Sequence, residues 1–283
     1  LLDQPWPLSD AFRLEERFGF NRMTPALFVA DHLKALLVGA LLAACGTTME
    51  QRAATGALGG DAVNGPALPA EMLPPVIYSL ATAVGYVFPL LIGTLLVTNE
   101  FRHKTLTPTF LATPRRRIAL GGKVVAGILM GLLYAVVALV ATVGLGGGLL
   151  AVFGIDTALG SAETWAMIGR MVIAFVLWTL VGIAVGTLVR NQVAAVVGVL
   201  AFTQFIEPIL RTVGGFVEGV SGITEYLPGA ASDALVGASI YSSLGGETAA
   251  VGLHWWAGGL VLLGYAVVLL LIGYALSWRR DVS

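Results

Sequence analysis

The chain has little charge. Only 12% of its 283 residues are Asp, Glu, Lys or Arg, about half the roughly 25% of an ordinary soluble domain. Hydrophobic residues make up 57%, and the mean hydropathy is +0.86. That balance excludes a water-soluble globule and points to a polytopic membrane protein. Cysteine is nearly absent: Cys45 stands alone, so no internal disulfide framework can form. The three histidines, His32, His103 and His254, are scattered. None has the His-Glu-x-x-His spacing that sets two imidazoles and a general base around one zinc, so zinc-peptidase chemistry fails. A phosphate loop is missing too. Gly121-Gly122-Lys123 is followed by Val124, and Arg117 stands where the first glycine should be, whereas the loop needs Ser or Thr after the lysine. A nucleotide site within this chain is therefore not expected. Residue 1 is leucine, which reads as a fragment or a processed product. The net charge of -1 decides nothing; the distribution of charge does.

Uncharged runs dominate what is present. Pro75–Val97 and Val124–Phe153 carry no charged side chain. Each exceeds the roughly 20 apolar residues that cross a hydrocarbon core of about 30 Å. Five spans are expected, at about Val76–Val97, Val124–Phe153, Met171–Val189, Val193–Leu210 and His254–Trp278. A sixth, near Ala35–Met49, has only a short apolar stretch and needs a tilted or extended helix. The third and fourth runs are separated by Arg190, Asn191 and Gln192 alone, which implies a tight helical hairpin. The expected fold is an all-α polytopic bundle of about six spans, because the bilayer forces backbone hydrogen bonds to close within each segment. Alternation puts 13 of the 16 Lys and Arg on one face, together with both termini. By the positive-inside rule that face is cytoplasmic. The opposite segment, 211–253, is too apolar for a disordered loop, and short amphipathic helices at the outer interface are expected there.

The segment Thr98–Lys123 interrupts two apolar runs with six Lys and Arg. Thr107-Pro108 and Thr113-Pro114 each look like an N-cap followed by proline in the first helical turn. Two helix starts six residues apart imply a short helix, a break, and a second helix running through Arg115, Arg116, Arg117 and Lys123 into the next span. The triple arginine can simply anchor the span to lipid phosphates. A short crosswise helix at the surface can instead carry force from a soluble partner. The cluster is too short and too close to the bilayer for a nucleic-acid site.

Glu100, Phe101, Arg102, Thr105 and Leu106, then Thr113, Pro114, Arg116 and Lys123, resemble the first cytoplasmic loop of type-2 ABC transporter permeases. Tyr226-Leu227-Pro228 and the closing Arg279-Arg280-Asp281-Val282 are similar to that family as well. The resemblance covers roughly 46–283. It implies a coupling loop, 98–123, in which Glu100, Phe101, Arg102, His103, Lys104, Thr105, Thr113, Pro114, Arg115, Arg116 and Arg117 contact a separate ATPase subunit. It also implies a second permease unit, identical or related. This chain would hold no cofactor, ATP and Mg being bound by the partner. The location implied is the bacterial cytoplasmic membrane.

The start of the chain resembles something else. Glu16-Arg17-Phe18-Gly19-Phe20-Asn21, Thr24, Leu27-Phe28, Asp31 and Lys34 are similar to a segment of integral-membrane zinc CAAX endopeptidases, over residues 1–42. A junction between unrelated segments is expected near Leu41–Gly46, with a cytoplasmic stretch 1–34 before a transmembrane domain 35–283. Leu42-Ala43-Ala44-Cys45 also looks like a lipoprotein cleavage box, but it lies too far into the chain, behind charged residues, for an ordinary signal peptide.

Glu207 is the one acidic residue within an apolar run. An ion pair with Arg211, one turn on, is one reading; lining the outer mouth of a pathway is the other. Trp165, Trp178, Trp255, Trp256 and Trp278 are expected to form an interfacial belt. Gly144–Gly148 is expected to bend its span or permit close packing. The function expected is the membrane subunit of an ATP-driven exporter, without enzymatic activity of its own. The rival is a non-transporting anchor or an inactive peptidase remnant.

Overall fold

The computed structural model describes residues 73–102, 116–189, 191–216, 221–237 and 253–278. The chain divides into two units, Leu1–Ala35 and Leu36–Ser283, and every described residue belongs to the second. Among the described residues the fold is helical without strands. Helices α1 (Leu73–Gly85) and α2 (Val87–Arg102) make one span. Helix α3 (Arg116–Val152) and helix α4 (Ala162–Leu188) make the next two. Helix α5 (Gln192–Ala201) passes through a π-helical turn, Phe202–Ile206, into α6 (Glu207–Phe216), and together they form a fourth. Two short helices follow, α7 (Ser221–Thr224) and α8 (Pro228–Val236). Helix α9 (Trp255–Gly273) and a π-helical turn, Tyr274–Trp278, form the fifth. The expected five spans are all present, and the sixth, near Ala35–Met49, lies outside the described residues. The result is a polytopic membrane bundle.

Side-chain caps set the helix ends. Helix α4 begins well before the expected Met171, because Ser161 Oγ accepts from the Thr164 amide at 3.2 Å and Glu163 suits the positive first turn. Arg170, expected at the edge of the span, therefore lies within it. The hairpin turn works as its sequence implies: Asn191 Oδ1 accepts from the amides of Val193 at 3.0 Å and Ala194 at 3.3 Å. Helix α3 runs unbroken from Arg116 through Lys123 and through Gly144–Gly148. The glycine run does not end the helix. Gly146 instead admits the Ile77 and Tyr78 side chains of α1.

Two prolines break the spans, and two tyrosines repair the damage. Pro89 has no N–H, so the Gly85 carbonyl four residues earlier loses its helical partner. The Tyr134 hydroxyl of α3 donates to that carbonyl at 3.1 Å. In the π-helical turn the Glu207 amide bonds back to the Phe202 carbonyl. In that register Pro208 would serve Thr203, and it has no proton to give. The Tyr86 hydroxyl, at the junction of α1 and α2, donates to the Thr203 carbonyl at 3.2 Å. In a bilayer such orphaned carbonyls have no water to turn to. Tyr134→Phe should therefore lower stability by about 1 kcal/mol, in the range of interhelical hydrogen bonds in membranes. Thermal unfolding in detergent checks this, and an unchanged midpoint would remove the repair role.

Glycine governs the packing. A Cβ on Gly93 would overlap the backbone of Thr179 and Ile183, and one on Gly182 would overlap the Leu90 carbonyl. A Cβ on Gly186 would likewise come within 2.8 Å of the Thr94 carbonyl oxygen. Helices α2 and α4 thus meet backbone to backbone through a small-xxx-small pair, Gly182 and Gly186. Without a hydrophobic drive between helices in lipid, this van der Waals contact carries the association. Gly127 and Gly131 bring α3 against Thr179 and Ile183 of the same helix. Helix α4 is consequently the bundle axis, 67% buried over its apolar window, against 17% for α9. Buried threonine hydroxyls bond back within their own helices: Thr94 to Leu90, Thr98 to Thr94 and Thr179 to Phe175. The exposed apolar side chains of α3 and α9, such as Leu129, Leu133, Val140, Leu260 and Leu271, face outward as a lipid-facing surface requires.

Candidate functional site

One polar cluster sits where α2 ends and α3 begins. Glu100 near the end of α2 and Lys123 in the first turns of α3 come together as an ion pair of 2.5 Å. Lys123 is buried, and its Nζ also donates to the Leu96 carbonyl at 3.2 Å. The pair staples both ends of the intervening segment onto the helices that flank it. A second chain of contacts extends sideways. Arg102 Nη1 donates to Gln192 Oε1 at 3.1 Å, and Gln192 Nε2 donates to Asn99 Oδ1 at 3.0 Å. The end of α2 is therefore tied to the start of α5 across the hairpin turn. Between them opens a cleft of about 560 Å³, lined by Phe101, Arg102, Asn191, Gln192 and Val193.

Of the residues singled out by sequence, Glu100, Phe101 and Arg102 are in this cluster. Arg116 and Arg117 open α3. His103, Lys104, Thr105, Thr113, Pro114 and Arg115 lie outside the described residues. Asn99, Asn191 and Gln192 match no functional motif in the sequence. Their partnership spans about ninety positions of sequence, and no local pattern announces it.

The second polar cluster surrounds α8, toward the opposite end of the spans. The short helices expected between 211 and 253 are present, but α8 is not confined to an interface. It packs between α4 and α9, with Ala231, Ser232, Leu235 and Val236 buried. Gly258 lets α9 approach it, since a Cβ there would meet the Ala231 carbonyl. Trp178, from the middle of α4, donates its indole N–H to Ser232 Oγ at 3.0 Å and stacks on Tyr86 with ring centroids 4.5 Å apart. Trp178 is thus a core residue, 1% exposed, and not part of the expected belt. Residue 178 is mid-span on the expected and the observed bounds alike, and its side chain faces Tyr86 and α8. Trp165, Trp255 and Trp256 are exposed, each in the first turn of a span, as a belt requires.

Glu207 is buried, 2% exposed. Its Oε1 accepts from the amides of Gly229 at 2.5 Å and Ala230 at 3.1 Å. These are first-turn amides of α8, where a carboxylate satisfies donors that the helix cannot. The expected i+4 partner, Arg211, forms an ion pair with Asp233 of α8 at 2.6 Å, and its charge also acts on Glu207. Proximity to α8 in space outweighs proximity in sequence. The Glu207 carboxylate is thus enclosed by the helices around it. Among the described residues no group of His, Cys, Asp and Glu has a metal-binding arrangement.

The model of the CAAX prenyl protease N-terminal family, five membrane helices, matches residues 1–49 of the 283. That agrees with the likeness carried by Glu16–Asn21 and the residues after it. The matched stretch lies wholly outside the described residues and before the first described span. No curated protein matches the chain.

Proposed function

We propose that this multi-pass membrane protein is the permease subunit of an ATP-driven exporter, energised by a separate ABC ATPase. The observation that carries the reading is the Glu100–Lys123 ion pair. It joins the two motif elements, otherwise separated by the basic segment, into one rigid mount. Force applied to that segment would reach α2 and α3 directly. The Arg102–Gln192–Asn99 bonds would pass it to the α4–α5 hairpin. Two such permease units would be needed, identical or related, and ATP and Mg would reside on the partner. A cytoplasmic placement of this end follows from the charge bias.

The test is co-expression with candidate ATPase subunits, followed by co-purification in mild detergent. A stable pair with ATPase activity is expected. Arg116→Glu should weaken capture by about tenfold or more, as expected when a rim charge is reversed at an interface, with membrane insertion unchanged. Undiminished capture would remove Arg116 from the contact.

The family-model match to residues 1–49 favours a second reading, a non-transporting membrane protein related to a peptidase domain. Failure to capture any ATPase, even after the residues before Ala35 are replaced by an ordinary permease start, would favour that reading.

A further inference from the structure

Helix α8 has a charged side chain at each end, Glu207 buried and Arg170 half-buried. At its N-terminus stands Glu207 of α6, bonded to two of its amides. At its C-terminus Gly237 adopts φ +81 as a left-handed cap. There the Arg170 guanidinium of α4 lies so close that a Cβ on Gly237 would come within 3.1 Å of Nη1. The signs match the helix macrodipole, anion at the N-terminus and cation at the C-terminus. Two different spans thus hold one nine-residue helix by its ends.

Neither charge is fully satisfied. Glu207 Oε2 and Arg170 Nε are both buried without a hydrogen-bond partner. Such atoms are expensive to bury, and in a purely static scaffold apolar residues would fill these positions at lower cost. Both gain partners if α8 withdraws and water enters. The rest of the seat consists of close glycine contacts at Gly229 and Gly258, the buried side chains of Ala231, Leu235 and Val236, and two side-chain bonds, Trp178 to Ser232 and Arg211 to Asp233.

We infer that α8 is a withdrawable plug, latched into the far end of the bundle by Glu207 and Arg170 acting on its two ends. The latch sets how often the plug leaves its seat and lets water into the space between α4 and α9. This inference does not depend on the identity of any soluble partner.

The test uses the full chain in lipid vesicles, with Cys45→Ser and a reporter thiol from Ser232→Cys, probed by a membrane-impermeant maleimide. Ser232 is buried in the seated state, so labelling should be slow. Glu207→Gln keeps the shape and the acceptor but removes the charge. It should raise the labelling rate by about tenfold, the effect of weakening one charge-assisted contact on a local opening. Arg170→Gln, on a different helix, should do the same. A second reporter, Thr94→Cys at the α2–α4 contact, should be unaffected by either change. Unchanged labelling at Ser232 would overturn the inference. Faster labelling at both reporters would overturn it too, because the charges would then hold the whole bundle and not the plug.

Discussion

Replacing Gly182 by leucine should prevent stable assembly of the bundle. At this position even a Cβ would overlap the Leu90 carbonyl, and the next neighbour is the Thr94 amide. Backbone atoms cannot rotate aside as a side-chain tip can. Helices α2 and α4 would have to separate, and with them would go the burial of Leu90, Val97 and Ile183. Overpacking a core typically costs about 1–3 kcal/mol, and a backbone-on-backbone clash belongs at the top of that range. The same substitution at Gly169, between three and four turns earlier on the same helix, meets open space and should be tolerated. Fluorescence-detected size exclusion after stepwise heating in detergent measures both. Equal behaviour of the two variants would show that helix propensity, not contact, explains any loss.

Lys123→Met should destabilise the protein more than the double change Glu100→Gln, Lys123→Met. Lys123 is 8% exposed, and the side chain of Glu100 about a quarter exposed. Removing the lysine alone strands a carboxylate whose Oε2 is already buried without a partner. A fully buried pair loses about 3–5 kcal/mol on such truncation and a surface pair less than about 1. This half-sheltered pair should lose about 2 kcal/mol, between those limits. Neutralising both residues removes the stranded charge and should restore most of that loss. A double-mutant cycle on thermal midpoints gives the coupling directly. Additive single effects would mean that the two residues act separately. Under the exporter proposal the cycle has a second readout: the double variant should recover stability but not full coupling of ATPase activity to the bundle, because the mount itself is gone.

Much of the architecture was legible in the chain because a bilayer leaves few choices. Scarce charge, long apolar runs and a basic segment between two of them imply spans and their order, since an apolar run long enough to cross a bilayer closes its backbone hydrogen bonds as a helix. Local chemistry was legible for the same reason. Asn191 caps the α5 hairpin as its place between two apolar runs implies, and α3 runs unbroken from Arg116 into its span. Glu100 and Lys123 were visible as members of a motif. Their bond was not, because it forms only when α2 and α3 lie side by side.

The tertiary structure decided what depends on helix pairing. Trp178 was grouped with the belt tryptophans, yet it is in the core, because its face of α4 packs on Tyr86 and bonds to Ser232 of α8. Glu207 has Arg211 one turn away, yet it serves the amides of α8, because that helix inserts between α4 and α9 and brings unsatisfied donors with it. Gly182 and Gly186 form a small-residue pair, but among 36 glycines only contact shows which ones touch another backbone. Periodicity and hydropathy act along one helix, whereas these assignments depend on which helix lies beside it.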